Sequence, residues 1–199
     1  MELAVVLGRT IAFALAAGVN VYATVALIGL SVRFGWVDLP PQYGAFGSDI
    51  VIGAAVVMFL VEFFADKVPY LDTVWDVVHT VIRPVGGALI AVTSLGEASP
   101  AAAGLAALLG GAVATSSHLT KASTRAVANT SPEPLSNWTL SLAEDVFAFG
   151  LVSLALAYPV AALVVALVVL GCILAFSVVI VRLAARWLGT RWRSVAALH

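Results

Sequence analysis

The stretch VAALVVALVVLGCILAFSVVIV, residues 160–181, carries no charged residue. A helix needs roughly 20 apolar residues to cross the hydrocarbon of a bilayer, and this stretch supplies them without interruption. The rest of the chain is of the same kind. Of its 199 residues, 62% are hydrophobic and 11% are charged, and the mean hydropathy is +1.07. Soluble domains are about 45–50% apolar and about 25% charged. The composition therefore describes an all-α, multi-pass membrane protein. No polar stretch is long enough to enclose a soluble core.

Five further apolar segments precede the quoted one, at 10–34, 50–65, 84–95, 101–121 and 141–157. The segment 84–95 is short alone, and it reads as the continuation of an amphipathic helix at 71–82, bent at Pro84. Arg182, Arg186, Arg191 and Arg193 assign the C-terminus to the cytoplasm, because cytoplasmic loops carry the excess of Lys and Arg. Lys67, Arg83, Lys121 and Arg125 then fall toward the same side. The loops at 35–48, 96–100 and 158–159 hold no Lys or Arg and fall outside. Glu2 precedes Arg9, and no A-x-A site closes a short apolar core, so the first segment is expected to be retained with the N-terminus inside. The expected topology is six spans in the cell (inner) membrane with both termini cytoplasmic. The second count is seven, with a separate interfacial or re-entrant piece.

The halves show a correspondence at an offset of 93 residues: Ala14-Leu15 with Ala107-Leu108, Gly18 with Gly111, and Pro41 with Pro134. In each half a long apolar segment is interrupted, at 17–20 and at 110–113, and leads to a Pro-containing loop, at 38–41 and at 131–134. Two inverted three-helix repeats are expected, 1–97 and 98–185, followed by a basic tail at 186–199. Gly-interrupted segments in corresponding positions point to a transporter's binding site. The opposing reading is chance matching in a chain rich in Ala, Leu and Gly.

Ionisable residues inside apolar segments carry the functional reading. His118, Lys121, Arg125 and Asn129 are spaced i, i+3, i+7, i+11, which places them in one stripe of a helix. Asp72, Asp76, His79 and Arg83 form a second stripe at i, i+4, i+7, i+11. The acids Glu62 and Asp66 close the second segment, and Glu144 and Asp145 lie early in the fifth. Glu62 is flanked by Val61 and Phe63, so a carboxylate there must be paired or protonated. Its candidate partners are Lys121, Arg125, His118 and Arg83. Asn20, Tyr22 and Thr24 mark the interruption of the first segment. Amides and hydroxyls there can line a solute site or serve as interhelical hydrogen bonds. Each stripe also has a plainer reading. Arg125 and Asn129 could have left the membrane to meet headgroups. The Asp72 stripe could be the wet face of an interfacial helix. The whole set could be a structural network.

Several classes are excluded. A net charge of −1 provides no basic field for nucleic acid. The single cysteine, Cys172, cannot form an intrachain disulfide and reads as a small core residue. No hydrolase, Walker, haem or flavin motif is present, and neither a cofactor nor an enzyme activity is expected. Thr115-Ser116-Ser117-His118-Leu119 is faintly similar to a loop of lipid-carrier pyrophosphate phosphatases, but it lacks their glycine and acidic-proline lead-in.

Three stretches together resemble a bacterial membrane family of unknown function, number forty-one twenty-six. They are Ala17–Thr24, Glu62–Thr80, and Ser117–Arg125 continuing to Asn129–Trp138 and Glu144-Asp145. The resemblance spans nearly the whole chain and implies a small multi-pass membrane protein with no agreed activity.

The residues themselves lead to a transporter or channel for a small ion, a polar solute or a phosphate-bearing lipid headgroup, with its site between the halves. His118, Lys121, Arg125, Asn20 and Ser117 are the candidates for binding. Glu62, Asp66, Glu144 and Asp145 would balance charge or carry coupling protons. Asp72, Asp76 and His79 would form a gate or a cation site. The alternatives are a non-transporting scaffold or assembly protein and a lipid-phosphate enzyme. The expected partners are membrane lipids and, with so many small residues, a second copy of the chain.

Overall fold

The computed structural model describes residues 2–68, 70–130 and 134–196, and the side chains of 134 and 183–196 fall outside that description. Among the described residues there is no strand. The helices are α1 (Glu2–Val19), α2 (Val21–Phe34), a 3-10 turn (Pro41–Gly47), α3 (Asp49–Ala65), α4 (Leu71–Leu95), α5 (Pro100–Ala128), α6 (Pro134–Ala157) and α7 (Pro159–Ala196). Helices α1, α4, α5, α6 and α7 are long and apolar enough to cross a membrane. The 3-10 turn and α3, bent by 62° at their junction, would together make a sixth crossing.

The interruption in the first segment reverses the chain. Asn20 is extended (φ −149°, ψ 97°), and its Oδ1 accepts from the Ala23 amide at 2.9 Å, so its side chain caps the start of α2. Helix α1 begins with Gly8 packed against the Pro159 carbonyl, at the start of α7. It ends with Gly18 against Ala114 and Ser117, in the second half of α5. Helix α2 then returns. Val21 lies against Gly86, but Gly29 lies against Phe46, Val32 against Gly47, and Arg33 pairs with Asp49 at 3.0 Å. Gly35, at φ 63°, supplies the left-handed cap that stops α2. The α1–α2 unit is a re-entrant hairpin whose tip, Asn20, lies in the interior.

This corrects the expected single crossing over 10–34. The N-terminal end of α1 lines a cavity with Pro40, Gln42, Tyr43 and Ser94, at the end of the bundle that holds loops 35–48, 96–100 and 158–159. The C-terminal helix starts at that end and runs away from it. A second expectation also changes. Helix α5 runs unbroken through Gly110-Gly111, so the first half's interruption has no counterpart there. Of the second Pro-containing loop, residues 131–133 lie outside the described residues. The side chains of Arg186, Arg191 and Arg193 also lie outside them.

Helix α1 explains the centre of the bundle. Every residue from Ala12 to Val19 is buried, which requires neighbours on all sides; α4, α5, α6 and α7 supply them. Small side chains at Ala12, Ala14, Ala16, Ala17 and Gly18 permit that approach. The outer helices are polar inward and apolar outward. On α4, Asp72, Asp76, His79 and Arg83 are buried, whereas Val74, Val77, Val81, Val85 and Leu89 are exposed. A soluble protein does the reverse. Residues 71–82 are thus the first half of a crossing helix that runs on through Pro84, not an interfacial helix with a wet acidic face. Cys172 is exposed on the apolar surface of α7, so it is not the core residue expected.

Candidate functional site

Four helices deliver ionisable side chains to one buried cluster, and the hairpin tip adds the Asn20 amide. Its centre is Arg83 on α4, fully buried. Nη2 donates to Glu62 Oε1 at 2.6 Å, and Nη1 reaches Asp76 Oδ1 at 3.3 Å, the Gly18 carbonyl at 3.5 Å and His118 Nδ1 at 2.7 Å. A guanidinium only donates, so Nδ1 of His118 accepts and carries no proton. The proton sits on Nε2, which donates to Thr80 Oγ1 at 3.1 Å; Thr80 in turn donates to the Asp76 carbonyl. This chain fixes His118 as a neutral imidazole.

Lys121 lies one helical turn further along α5. Its Nζ donates to Asp66 Oδ2 at 2.8 Å, to Glu62 Oε1 at 3.3 Å and to the Val19 carbonyl at 3.1 Å, and lies 3.5 Å from Glu144. The Val19 carbonyl is a group that the break at Asn20 frees from helical bonding. Arg125 donates Nη2 and Nε to Glu144, at 2.5 and 3.0 Å, and Nη2 and Nη1 to the Asp66 side chain and carbonyl, at 3.1 and 2.7 Å. Asp72 lies 3.8 Å from Arg125 and accepts from Asn129 at 2.9 Å and from Asn137 at 3.4 Å.

The stripes of the sequence are thus brought together, facing inward. Arg125 has not left the protein for the headgroups: it is fully buried. Asp72, Asp76 and His79 do not converge. His79 donates Nδ1–H to the Trp75 carbonyl at 2.7 Å and meets Tyr22 Oη through Nε2 at 3.0 Å. Among the described residues no three His, Cys, Asp or Glu side chains are placed to hold a metal ion. Ser117 is not at the cluster's polar centre; its Oγ donates to the Leu15 carbonyl at 2.9 Å and joins α5 to α1. Arg83, Thr80, Asn129 and Asn137 belong to the network in addition to the chosen candidates. The signal for Arg83 was its place on the Asp72 stripe.

Asp145 stands apart. Its Oδ1 accepts from the amide of Asn20, at the hairpin tip, at 3.1 Å. Among the described residues it is in no ion pair, and its Oδ2 is buried without a hydrogen bond. Lys67, in the turn after α3, reaches α6 one turn before Asp145; its Nζ donates to Ser141 Oγ at 3.4 Å and lies over the Phe63 ring. Burial holds the Lys67 ammonium below the usual lysine range, against the pull of Asp145 and Asp66. In the same turn, burial pushes the Asp66 carboxyl up, but Lys121 and Arg125 outweigh it and hold the group below the usual carboxylate range.

Among the described residues the cluster is short of positive charge. Glu62, Asp66, Asp72, Asp76, Glu144 and Asp145 are matched by Arg83, Lys121, Arg125 and Lys67. His118 is neutral, and even a protonated His79 would leave a carboxylate in excess. In a low-dielectric interior an uncompensated charge costs several kcal/mol (order of magnitude), so the excess must be met by protons or a cation. No cationic surplus remains to draw an anion to His118, Lys121 and Arg125. Beside Lys121 and Glu144, a cavity of about 290 Å³ opens between α5, α6 and α7, with Val19, Phe147 and Ile173 among its apolar walls.

A family profile described as a domain of unknown function, DUF4126, matches residues 7–179. The chain belongs to the DUF4126 family. The match takes in the hairpin and every residue of the cluster. No curated protein and no solved structure matches the chain.

Proposed function

We propose that this DUF4126 protein is a membrane carrier or channel for a small cation, the proton first among them, and that Asp145 at the hairpin tip is the residue that takes the ion up. One observation carries the reading: Asp145 is an unpaired carboxylate in a cluster that already lacks positive charge, and it is bonded to the residue at which a membrane helix is broken. Interrupted helices that expose backbone carbonyls beside carboxylates are a recurrent way to hold and release cations in transporters. The Asn20 amide would follow Asp145 as the ion binds. Lys67, weakened as a base by its burial, would offset the charge when Asp145 is empty. His118, on which an enzyme reading would rest, is committed to Arg83 and Thr80, so the proposal assigns no catalysis.

The setting proposed is a cell (inner) membrane, with lipids around the apolar belt and the Lys67 end in the cytoplasm. The inverted-repeat arrangement is not part of the proposal, because α5 lacks the break that the hairpin has. The scaffold reading draws support from one feature: Arg83, Lys121 and Arg125 are each held by more than one carboxylate.

Asp145→Asn separates the two. The protein is reconstituted into liposomes carrying a trapped pH dye, and gradients of H⁺, Na⁺ and K⁺ are imposed in turn. We expect flux of one of these ions above protein-free liposomes, falling to that background in Asp145→Asn. The variant's unfolding temperature should equal or exceed the wild type's, because an unpaired buried charge has gone while Asn20 keeps a partner. Wild-type liposomes as tight as empty ones would sink the carrier and leave the scaffold.

A further inference from the structure

At the far end of the bundle from the charge cluster lies a cavity of about 350 Å³ between the start of α1, the 3-10 turn and the end of α4. Phe13, Ile28 and Ile90, all buried, belong to the apolar core that separates it from Arg83. Its lining includes Arg9, Gln42, Tyr43 and Ser94, with Val5 and Val6 as apolar wall.

Two polar groups here lack well-made partners. Arg9 makes no ion pair or hydrogen bond among the described residues, and its Nε is buried. Tyr43 is 1% exposed, and its hydroxyl makes no well-aligned hydrogen bond among the described residues. The adjacent Ser94 hydroxyl donates its proton to the Ile90 carbonyl at 2.8 Å, so toward Tyr43 it can only accept. Tyr43 is not there to fill space alone. Its ring meets the edge of Phe13 at 6.2 Å between centroids, a contact that phenylalanine would make equally well. A buried hydroxyl without a well-made hydrogen bond is costly, and so is a half-buried guanidinium whose inner nitrogen has no partner. A cation that merely snorkelled to the headgroups would turn its side chain outward, whereas Arg9 turns Nε into the protein beside Tyr43. Glu2, two turns before Arg9 on α1, is exposed and pairs with no cation among the described residues.

We propose that this cavity is an oxyanion site. The Arg9 guanidinium supplies charge and a fork of donors suited to a phosphate or carboxylate group. The Tyr43 hydroxyl and the Gln42 amide supply neutral donors. The oxyanion belongs either to a free solute or to the headgroup of a lipid in that leaflet. The site is independent of cation uptake at Asp145 and stands or falls without it.

The test is thermal unfolding of the full chain in a non-ionic detergent. Inorganic phosphate and acetate are titrated against chloride at matched ionic strength, and short-chain phosphatidic acid is titrated separately. A ligand that binds only the folded state raises the unfolding temperature by mass action. We expect a saturable rise that is absent in Arg9→Gln and smaller in Tyr43→Phe. A rise with phosphate or acetate assigns a soluble oxyanion, and a rise with phosphatidic acid alone assigns a headgroup. If Arg9→Gln does not fold, Arg9→Lys, which keeps the charge and loses the fork, together with Tyr43→Phe carries the comparison. No rise with any of the three probes overturns the site, as does a rise that survives these variants unchanged.

Discussion

Arg83 shows what a single buried cation does for a membrane bundle. It joins Glu62 of α3, Asp76 of its own helix, the carbonyl of Gly18 at the end of α1 and the imidazole of His118 on α5. Removing one partner of a buried pair strands the others, at a cost of about 3–5 kcal/mol. Arg83→Gln should therefore lower the unfolding temperature sharply and free His118 to change tautomer. Adding Glu62→Gln should restore part of the loss, since the stranded carboxylate is then neutral. The double-mutant cycle is read by thermal unfolding, and strictly additive effects would mean that the two are not energetically coupled. The spacing of charges along one helix was legible before the fold, because 100° per residue places Asp72, Asp76, His79 and Arg83 on one side. The centrality of Arg83 was not legible. It depends on Glu62, Gly18 and His118 arriving from other elements, and spacing along a chain says nothing of which faces meet. The same limit explains the expectation of an anion at Lys121 and Arg125: the two cations look like surplus until Glu62, Asp66, Asp72 and Glu144 are folded against them.

Glycine decides how the elements approach, and it was the residue most open to two readings. Gly110-Gly111 and the Ala17–Asn20 stretch both looked like breaks. Only the second is one, because Asn20 offers a side-chain acceptor that caps a new helix, and glycine alone offers none. Gly110 instead brings α5 against α4. A Cβ at Gly110 would strike Ala91 Cβ and the Gly87 backbone, while one at Gly104, on the same helix, would meet nothing within 4 Å. Gly110→Ala should accordingly destabilise the protein by about 1–3 kcal/mol through overpacking. Gly104→Ala should be neutral or slightly stabilising, because alanine favours the helix. The difference between the two unfolding temperatures checks the close α4–α5 approach with helix propensity cancelled. Equal effects would mean that the helices have room to part.

The course of the whole chain follows from the hairpin, and it was the part least legible in hydropathy. A window over 10–34 reports apolar residues but not their direction, and a run long enough to cross once is also long enough to enter and return. Three of the cations used to orient the chain carry no sidedness, for a physical reason. Arg83, Lys121 and Arg125 are buried against carboxylates, so they are not the free loop charges on which the positive-inside rule rests. If α1–α2 enters and leaves by one face, the crossings are α3 with its 3-10 turn and four of the five helices long and apolar enough to cross, α4, α5, α6 and α7. That odd number predicts the two ends of the chain on opposite sides. Thiol labelling resolves this, because Cys172 is the only cysteine and its face is apolar. In a Cys172→Ser background, cysteines at Leu3, Glu97 and Tyr158 should react with a membrane-impermeant maleimide from one side of sealed vesicles. Cysteines at Tyr70 and Thr130 should react only from the other. If Leu3 labels together with Tyr70, α1–α2 crosses once and the hairpin is wrong. Asn20 would then not be an interior tip, and Asp145 would lose the broken-helix setting on which the proposed cation uptake depends.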